Sequence, residues 1–345
     1  MRAGAVLLTT KPFSLIFPYV MKVYYDLKEY CESLPYPVVT MGNFDGIHRG
    51  HQEIFRILRQ EAEANHGTAL VITFFPHPLK VLHPDRAPRL ITNIQDRVEL
   101  MECCGVDHVL CLPFDQEFAG WDAERFVREI LVGKLGIKRV LVGEDFRFGK
   151  NREGGINFLK KRGQPYGYTV QKINPVRVDG LEISSTRIRQ SIQEGRIRES
   201  NAMLGRPYNI SGTVVTGDKR GRTLGYPTAN LATEAELIPP NGVYAVRVGL
   251  GEERKPGVAS LGIKPTFSGK RYSIEAHIFD FDQDIYGKSL RMEFIERIRE
   301  EKSFPDAHAL VAQIDRDAEQ ARQILEQAPP EASNQPDEEK TGTLS

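Results

Sequence analysis

Two histidines in a glycine-rich stretch, His48 and His51, have a spacing that could serve phosphate chemistry. Both lie in the string TMGNFDGIHRGH, residues 40–51. An apolar stretch that predicts a buried strand ends at its start, and an amphipathic stretch that predicts a helix begins at its end. A helix N-terminus after such a turn offers free N–H groups and the positive end of the helix dipole. The two side chains could share a face, and Gly50 between them leaves room for a phosphate. The pattern predicts an anion site, and a turn with two surface histidines is the alternative.

A second group of candidate residues, Thr228, Asn230 and Glu275, lies in the other half of the chain. The Thr228 hydroxyl is an oxygen ligand of the kind that Mg²⁺ prefers, and Asn230 could orient a phosphate or the metal shell. Glu275 lies in an alternating segment, opposite its apolar face, where it could act as a general base. Spacing alone favours the alternative of an exposed strand glutamate. No Walker-type phosphate loop occurs, which argues against a Walker-type ATPase.

The length and the composition limit the class of protein. At 345 residues the chain can form two domains, and its 46 basic and 46 acidic residues give no global field that would attract nucleic acid or an anionic membrane. No apolar run reaches the ~20 residues of a membrane span. Four cysteines without metal-ligand spacing indicate reduced thiols. We expect a cytoplasmic protein that binds neither nucleic acid nor membrane, and its oligomeric state stays open.

In the first half, strand-like and helical segments alternate, which predicts a Rossmann-like α/β domain with a parallel sheet. The predicted strands are at residues 38–41, 69–75, 108–112, 139–142 and 168–173. The predicted helices are at residues 51–65, 94–104, 123–135 and 156–162. Ligands of such sheets bind beyond the carboxyl ends of the strands, so the loops 42–51, 76–78 and 143–149 should converge. Ser185 or Thr186 should cap a further helix.

After Gly205, short β-branched and aromatic segments separated by Gly, Pro and Asn predict a closed antiparallel β-barrel. The predicted strands are at residues 208–215, 243–248, 257–261, 272–279 and 289–294, followed by a terminal helix at 307–327. We therefore predict one domain at 21–200 and a second at 201–327, with the boundary near 195–206. Residues 1–20 and 328–345 are expected to be disordered.

The string GNFDGIHRGH resembles the signature of the nucleotidylyltransferase superfamily, in the form found in bacterial FAD synthetases, the bifunctional riboflavin kinase/FMN adenylyltransferases. The strings ISSTRIR, GEDFRFG and TFFPHP resemble three further motifs of these enzymes. The resemblance implies catalytic roles for His48 and His51 in adenylyl transfer. It implies that ATP contacts Gly42, Asn43, Phe44, His48, His51, Ser185, Thr186 and Arg189. It implies that the flavin or the nucleotide contacts Phe75, His77, Asp145, Phe146 and Phe148.

Four positions in these motifs carry alternatives. Phe146 and Phe148 could flank a planar ring, but two aromatic residues around a turn could equally belong to the core. Asp145 stands where many relatives carry Asn, so its contact stays open. Asp45 is a weaker candidate, because an Asp-Gly pair can simply form a turn.

The string GRPYNISGTVVTGDKRGRTLGYPTANL, residues 205–231, resembles the riboflavin kinase signature. The resemblance implies that ATP and Mg²⁺ contact Gly212, Gly221, Arg222, Thr228 and Asn230, with Thr228 as the metal ligand. The string YSIEAHIFD places Glu275 where those enzymes carry the catalytic glutamate that deprotonates the ribityl 5′-hydroxyl. The glycines of the signature would let a flap fold over the nucleotide.

We therefore predict a bifunctional enzyme that uses ATP and Mg²⁺ to phosphorylate riboflavin to FMN and then adenylylates FMN to FAD with release of pyrophosphate. One alternative retains a single active module. Another is a flavin-responsive binding protein without catalysis. A third is a tRNA-synthetase-like RNA binder, which the neutral charge and the lack of a basic, aromatic-rich tract disfavour.

Overall fold

The computed structural model describes residues 20–178, 180–217, 221, 225–266 and 269–329. Arg222 and nearly all of the two terminal segments expected to be disordered, 1–20 and 328–345, lie outside the described residues. Among the helices in these ranges, none combines the length with the apolar content that crossing a bilayer requires.

The first half is an α/β unit. Its strands are β1 (Lys22–Tyr24), β2 (Pro37–Met41), β3 (Thr68–Phe75), β4 (His108–Pro113), β5 (Arg139–Gly143), β6 (Arg147–Phe148), β7 (Gly154–Gly155), β8 (Thr169–Ile173), β9 (Arg177–Val178) and β10 (Leu181–Glu182). Its helices are α1 (Arg49–Ala64), α2 (Pro78–Leu82), α3 (Ile94–Cys103), α4 (Gln116–Ala119), α5 (Ala123–Arg125), α6 (Ile156–Tyr166), α7 (Ser185–Gln193) and α8 (Ile197–Leu204). Each predicted strand end lies within one residue of the observed end.

Six parallel strands form one sheet in the order β1-β4-β3-β2-β5-β8, which confirms the predicted fold class. Strand β2 is buried along its whole length, as expected for a parallel strand covered on both faces. Because β3 and β5 flank β2, the loops that follow these three strands lie at the same edge of the sheet.

The helix predicted at 123–135 is confirmed, but most of it is not α-helical. Only α5 is an α-helix, and Phe126–Lys134 continues it as a π-helix. Phe126, Val127, Ile130 and Leu131 are buried there. Sequence periodicity cannot separate the two helix types, because both present an apolar stripe to the core.

The second half is a closed six-stranded barrel, as predicted. Its elements are β11 (Tyr208–Val215), β12 (Ala229–Ala232), β13 (Gly242–Leu250), β14 (Glu253–Thr266), β15 (Gly269–Ile278), β16 (Ser289–Arg299) and the terminal helix α9 (Ala307–Gln327). Neighbouring strands are antiparallel in the order β11-β12-β15-β14-β13-β16, and β16 pairs with β11. Strand β12 was not predicted, because four residues are too few to show an alternating pattern.

The barrel core continues into the helices that precede it. Ile188 and Ile192 of α7 and Leu204 of α8 are fully buried and belong to one apolar cluster with barrel residues such as Tyr244 and Phe294. On the outside of the barrel, α9 covers a smaller apolar cluster and forms a buried ion pair between Arg299 and Asp317, with 2.7 Å between Nη2 and Oδ2. The two halves therefore share a packed core.

Candidate active sites

The first site is built around His48, the residue at which the turn after β2 becomes helix α1. His48 is the N-cap of α1, and its Nδ1 accepts a hydrogen bond from the backbone N–H of His51 at 3.4 Å. The two imidazole rings stack, with 3.6 Å between centroids and 20° between planes. The prediction that both side chains share a face is confirmed. A Cβ on Gly50 would lie 3.1 Å from the His48 ring, so glycine makes room for this imidazole rather than directly for a phosphate.

Both imidazoles are neutral near pH 7. Removal from water lowers the pKa of His48 to about 4, although the Asp45 carboxylate acts in the opposite direction. Burial lowers the pKa of His51 well below its usual value, and the His48 ring lowers it further. A neutral imidazole carries one N–H donor and one acceptor. The pair can therefore donate hydrogen bonds to a phosphate without carrying a charge of its own.

The turn before His48 is held in a strained backbone shape by Asp45. Phe44 and Ile47 have positive φ angles of 48° and 38°, which are rare for residues other than glycine. The Asp45 carboxylate is buried and accepts the backbone N–H groups of Ile91 and Thr92 at 3.1 Å. Asp45 therefore does more than form a turn. Its partners are distant in sequence, so no local pattern could reveal this role.

Helix α7 brings the second predicted motif to this turn. The Arg189 guanidinium donates to the Asp45 carboxylate at 2.6 Å, and the Ser185 hydroxyl donates to the Asp45 carbonyl at 2.9 Å. Thr186 is exposed in the first turn of α7. The cap prediction is wrong by one residue, since the Ser184 hydroxyl accepts from the Arg187 N–H and is the N-cap.

The loop after β3 also reaches this site, through His77. Its Nδ1 accepts the Leu79 N–H at 3.2 Å, which makes His77 the N-cap of α2, and its Nε2 lies 3.1 Å from the side-chain amide of Asn43. Burial lowers the pKa of His77 to about 4, so this ring too is neutral. Phe75, next to it, is 48% exposed. A Cβ on Gly42 would lie 3.1 Å from the Phe44 ring, so this glycine lets the ring pack over the turn.

The third loop, after β5, carries the predicted site residues Asp145, Phe146 and Phe148, which differ in their exposure to solvent. Asp145 is exposed, and Phe146 is half-buried. The Phe146 ring stacks on Phe148 with centroids 5.6 Å apart. Phe148 is buried against Phe126 and Phe158, so it belongs to the core. For Phe148 this agrees with the alternative that aromatic residues around this turn are core residues.

The second site lies on the outer face of the barrel, where β12 pairs with β15. The Thr228 hydroxyl donates to Oε2 of Glu275 at 3.1 Å, and the Ser273 hydroxyl donates to Oε1 at 2.9 Å. Asn230 is the register partner of Glu275 on the neighbouring strand. The adjacent Ile274 and Ala276 face the barrel interior. Strand pairing of Asn230 with Glu275 and the hydrogen bond from Thr228 thus bring together the three residues predicted for this site.

Glycines of the predicted flap lie directly against this cluster. A Cβ on Gly217 would come within 2.2 Å of the Asn230 amide, and one on Gly221 would meet the Tyr226 carbonyl at 2.2 Å and lie 3.4 Å from the Thr228 hydroxyl. A Cβ on Gly212 would meet the Ala232 carbonyl at 2.2 Å, so this glycine permits close pairing of β11 with β12. Gly212 therefore has a structural reason to be glycine.

The contacts of the segment between Gly225 and Thr228, one of which reaches α9, were not predicted from the sequence. The Tyr226 hydroxyl donates to the Asp315 carboxylate, and His277 Nδ1 donates to the Pro227 carbonyl at 2.9 Å. Asp315 lies on the exposed face of α9. A lone tyrosine before Pro-Thr-Ala-Asn and an acidic helix residue carry no signal of this contact.

Two family models match the chain, one in each half. The model described as FAD synthetase matches residues 32–187, and the model described as riboflavin kinase matches residues 204–325. The first match contains the His48 turn, and the second contains Thr228 and Glu275.

Individual relatives match nearly the whole chain. The chain is 40% identical over 289 residues to the bifunctional riboflavin kinase/FMN adenylyltransferase of Escherichia coli strain K12, covering 84% of this chain and 92% of the relative. It is 38% identical over 285 residues to the Haemophilus influenzae protein of the same name, covering 82% and 92%. The crystal structure of the macrolide-efflux protein from Streptococcus pneumoniae has a TM-score of 0.80 and 35% identity, and covers 88% of this chain and 98% of that chain. Its name refers to efflux, whereas the family models and these curated relatives agree on flavin nucleotide synthesis.

Proposed function

The chain belongs to the bifunctional riboflavin kinase/FMN adenylyltransferase family and catalyses both reactions, and from this premise we propose that its two residue clusters are the two active sites. The alternatives of a single active module, a binding protein without catalysis and an RNA binder are thereby set aside. The limits 21–200 and 201–327 for the two domains are part of the proposal. They are supported by family matches that end at residue 187 and begin at residue 204.

In the proposed adenylyltransferase site, His48 and His51 donate hydrogen bonds to the phosphates of ATP at the N-terminus of α1. An oxygen of the FMN phosphate attacks the α-phosphorus, the bond to the β-phosphate breaks, and pyrophosphate leaves with the developing charge. The stacked imidazoles, 3.6 Å apart, carry this assignment, because they present two fixed groups to one spot. Ser185, Thr186 and Arg189 add donors from the start of α7.

The remaining predicted residues of this site line the loops at the same edge of the sheet. We assign Gly42, Asn43 and Phe44 to the nucleotide, since they form the turn that leads to His48. Flavin or nucleotide contacts are assigned to Phe75, His77, Asp145, Phe146 and Phe148. Within this set, Phe146 is half-buried and Phe148 supports its ring from the core.

In the proposed kinase site, Glu275 is the general base. It accepts the proton of the ribityl 5′-hydroxyl of riboflavin, whose oxygen attacks the γ-phosphorus of ATP while the bond to ADP breaks. The 3.1 Å contact between Thr228 and Glu275 carries this assignment, because it brings the predicted base beside the predicted metal ligand. Gly221, Arg222 and Asn230 are assigned to the nucleotide, and Gly212 to the packing of β11 on β12.

The kinase residues fit Mg²⁺. Thr228, Asn230 and Glu275 all offer oxygen atoms, which this ion prefers. Within the described residues no group of three or more His, Cys, Asp or Glu could hold a metal alone, which suits an ion held largely by substrate phosphates. When bound, Mg²⁺ would offset the negative charge of the phosphates, and Thr228 would be its protein ligand. We also propose a cytoplasmic location, supported by the four free thiols.

A reciprocal pair of variants tests both assignments. Purified His48→Asn and Glu275→Gln are assayed with FMN plus MgATP for FAD, and with riboflavin plus MgATP for FMN. We expect Glu275→Gln to lower FMN formation at least about 100-fold, the range of general-base catalysis, and to leave FAD formation from FMN within about twofold. His48→Asn should lower FAD formation about 100-fold and spare FMN formation.

Asparagine at position 48 can still cap α1, so the fold should tolerate that change. Exposed His308→Asn and Glu300→Gln serve as matched controls. Full kinase activity in Glu275→Gln would contradict the role of Glu275 as the general base. Full FAD formation in His48→Asn would contradict the assignment of the first cluster as the adenylyltransferase site.

A further inference from the structure

The turn that ends at His48 is held from outside its own half of the chain by Arg206. This residue follows α8 and precedes β11, so it lies inside the riboflavin kinase match. Its Nη2 donates to the Gly46 carbonyl at 2.7 Å, and its Nη1 donates to the Ile47 carbonyl at 3.1 Å. One guanidinium therefore holds the carbonyls of the two residues directly before His48.

These carbonyls belong to the strained part of the turn. Gly46 and Ile47 have φ angles of 89° and 38°, and Ile47 is a β-branched residue that is 1% exposed. A positive φ is strained for a β-branched residue such as Ile47, and it persists only where surrounding contacts fix it. The Ile47 carbonyl accepts a second hydrogen bond from the Gln52 amide at 2.8 Å. Arg206 and Gln52 together fix the direction from which the chain enters the His48 cap.

The environment of the Arg206 guanidinium suits its contact with the Gly46 and Ile47 carbonyls. Its Nε is shielded from water and has no hydrogen-bond partner among the described residues, which is a cost for a charged group. Burial lowers the pKa of Arg206 to about 10, so the guanidinium stays charged at neutral pH. A planar fork with two parallel donors suits two adjacent carbonyls, whereas a lysine ammonium offers a single point of donation.

We propose that Arg206, from the kinase half of the chain, is a positioning residue for adenylyl transfer in the other half. It acts through the backbone of Gly46 and Ile47 on the imidazole of His48 and does not touch the reacting atoms. The inference rests on the proposed function of His48. Because Arg206 belongs to the barrel half, the FAD-forming site is complete only when the start of that half packs against it.

The test compares Arg206→Met and Arg206→Lys with a matched arginine. Arg291 also joins the two halves, with its Nη2 3.2 Å from carboxylate oxygens of Asp96 and Glu99, but it does not touch the turn. The full-length variants are assayed for kcat and KM in FAD formation from FMN and in FMN formation from riboflavin. Thermal unfolding is measured in parallel.

We expect Arg206→Met to lower kcat for FAD formation roughly tenfold or more, with a smaller change in KM for ATP, because misplaced catalytic groups lose rate steeply. FMN formation should stay within about twofold, and Arg206→Lys should fall between wild type and Arg206→Met. Arg291→Met should leave both activities within about twofold.

Wild-type FAD formation in Arg206→Met would overturn the proposal. So would equal losses of both activities in Arg206→Lys, or equal effects of Arg206→Met and Arg291→Met, since either result means that Arg206 only joins the halves. His48→Asn separates this failure from failure of the proposed function. If His48→Asn abolishes FAD formation while Arg206→Met does not, only the positioning role is wrong.

Discussion

At the scale of single residues, burial decides the chemistry of the histidines in the first site. His48, His51 and His77 each have a lowered pKa, and loss of hydration is the largest cause in all three. A neutral ring gives directional donors and acceptors that can be fixed by neighbours, as the Leu79 N–H fixes His77. Because folding keeps these rings neutral, the free energy of unfolding should decrease at low pH.

This decrease gives a prediction for His48. Its pKa is about 4 in the folded chain and 6.5 in the unfolded chain, so between these values only the unfolded state binds the proton. The free energy of unfolding should therefore fall as pH falls through this window, by an amount of order 3 kcal/mol from His48. Urea unfolding at pH 7.5 and pH 4.5 measures the difference. His48→Asn should shrink it, whereas exposed His308→Asn should keep it; an unchanged difference in His48→Asn would contradict the pKa.

Gly50 gives a second prediction at this scale. Alanine at a helical position is intrinsically more favourable than glycine by about 1 kcal/mol, so Gly50→Ala should not destabilise α1 by propensity. Its Cβ would, however, press on the His48 ring at 3.1 Å. We expect FAD formation to fall roughly tenfold and FMN formation to be unchanged. Glu53→Ala, on the surface of the same helix, is the control. Normal FAD formation in Gly50→Ala would show that the ring can move without consequence.

At the scale of elements, each site forms where two elements present their ends or edges to each other. The starts of α1 and α7 meet through Asp45, which binds Arg189 at 2.6 Å and so joins two motifs 144 residues apart. In the barrel, β12 and β15 pair so that Asn230 and Glu275 lie in register. Helix α9 then braces the segment before β12 through the contact between Tyr226 and Asp315.

The brace by α9 predicts an effect of Tyr226→Phe on the kinase. Removing the hydroxyl should loosen the segment that carries Thr228. We expect FMN formation to slow by about twofold to tenfold, the range that a net hydrogen-bond free energy of about 0.5–1.5 kcal/mol allows. FAD formation from FMN should not change. Tyr286→Phe, at a tyrosine that is 43% exposed, is the control, and equal rates in the two variants would remove the role of the brace.

At the scale of the whole molecule, the two halves are joined by a shared core and by ion pairs across their contact. The apolar cluster that fills the barrel includes Ile91 from the first half and residues of α7 and α8. Glu236 accepts the Leu90 N–H at 3.1 Å and also pairs with Lys80. The two proposed active sites thus lie in a chain whose halves share a common apolar interior.

The shared core predicts coupled loss of the two activities on heating. Ile192 is fully buried in the cluster, and Ile192→Ala should cost about 2–5 kcal/mol. We expect the temperatures that inactivate FMN formation and FAD formation to fall together, as measured by residual activity after heating. Ile130→Ala, in a cluster confined to the first half, should lower the temperature for FAD formation more than that for FMN formation. If Ile192→Ala spares either activity, the halves unfold independently.

Much of the fold followed from local pattern. Alternation of apolar and helical segments placed five of the parallel strands within a residue of their observed ends, because β2, β3, β4 and most of β5 are buried apolar segments bounded by turn residues. Where the pattern was short it failed, as for β12, and at Phe126–Lys134 it predicted a helix without revealing the π-helical type. The cap of α7 was missed because three hydroxyl residues in a row, 184–186, compete for one position.

The two architectures, the family and the residues that carry the motifs could be inferred from the chain before folding, since these depend on the order of residues. The distant groups that complete each candidate site became evident only in the folded molecule: Asp45 with Arg189, Arg206 with the carbonyls of Gly46 and Ile47, and Tyr226 with Asp315. Such contacts depend on the docking of whole elements, and their energies come from burial and direction, neither of which is a property of neighbouring residues in the chain.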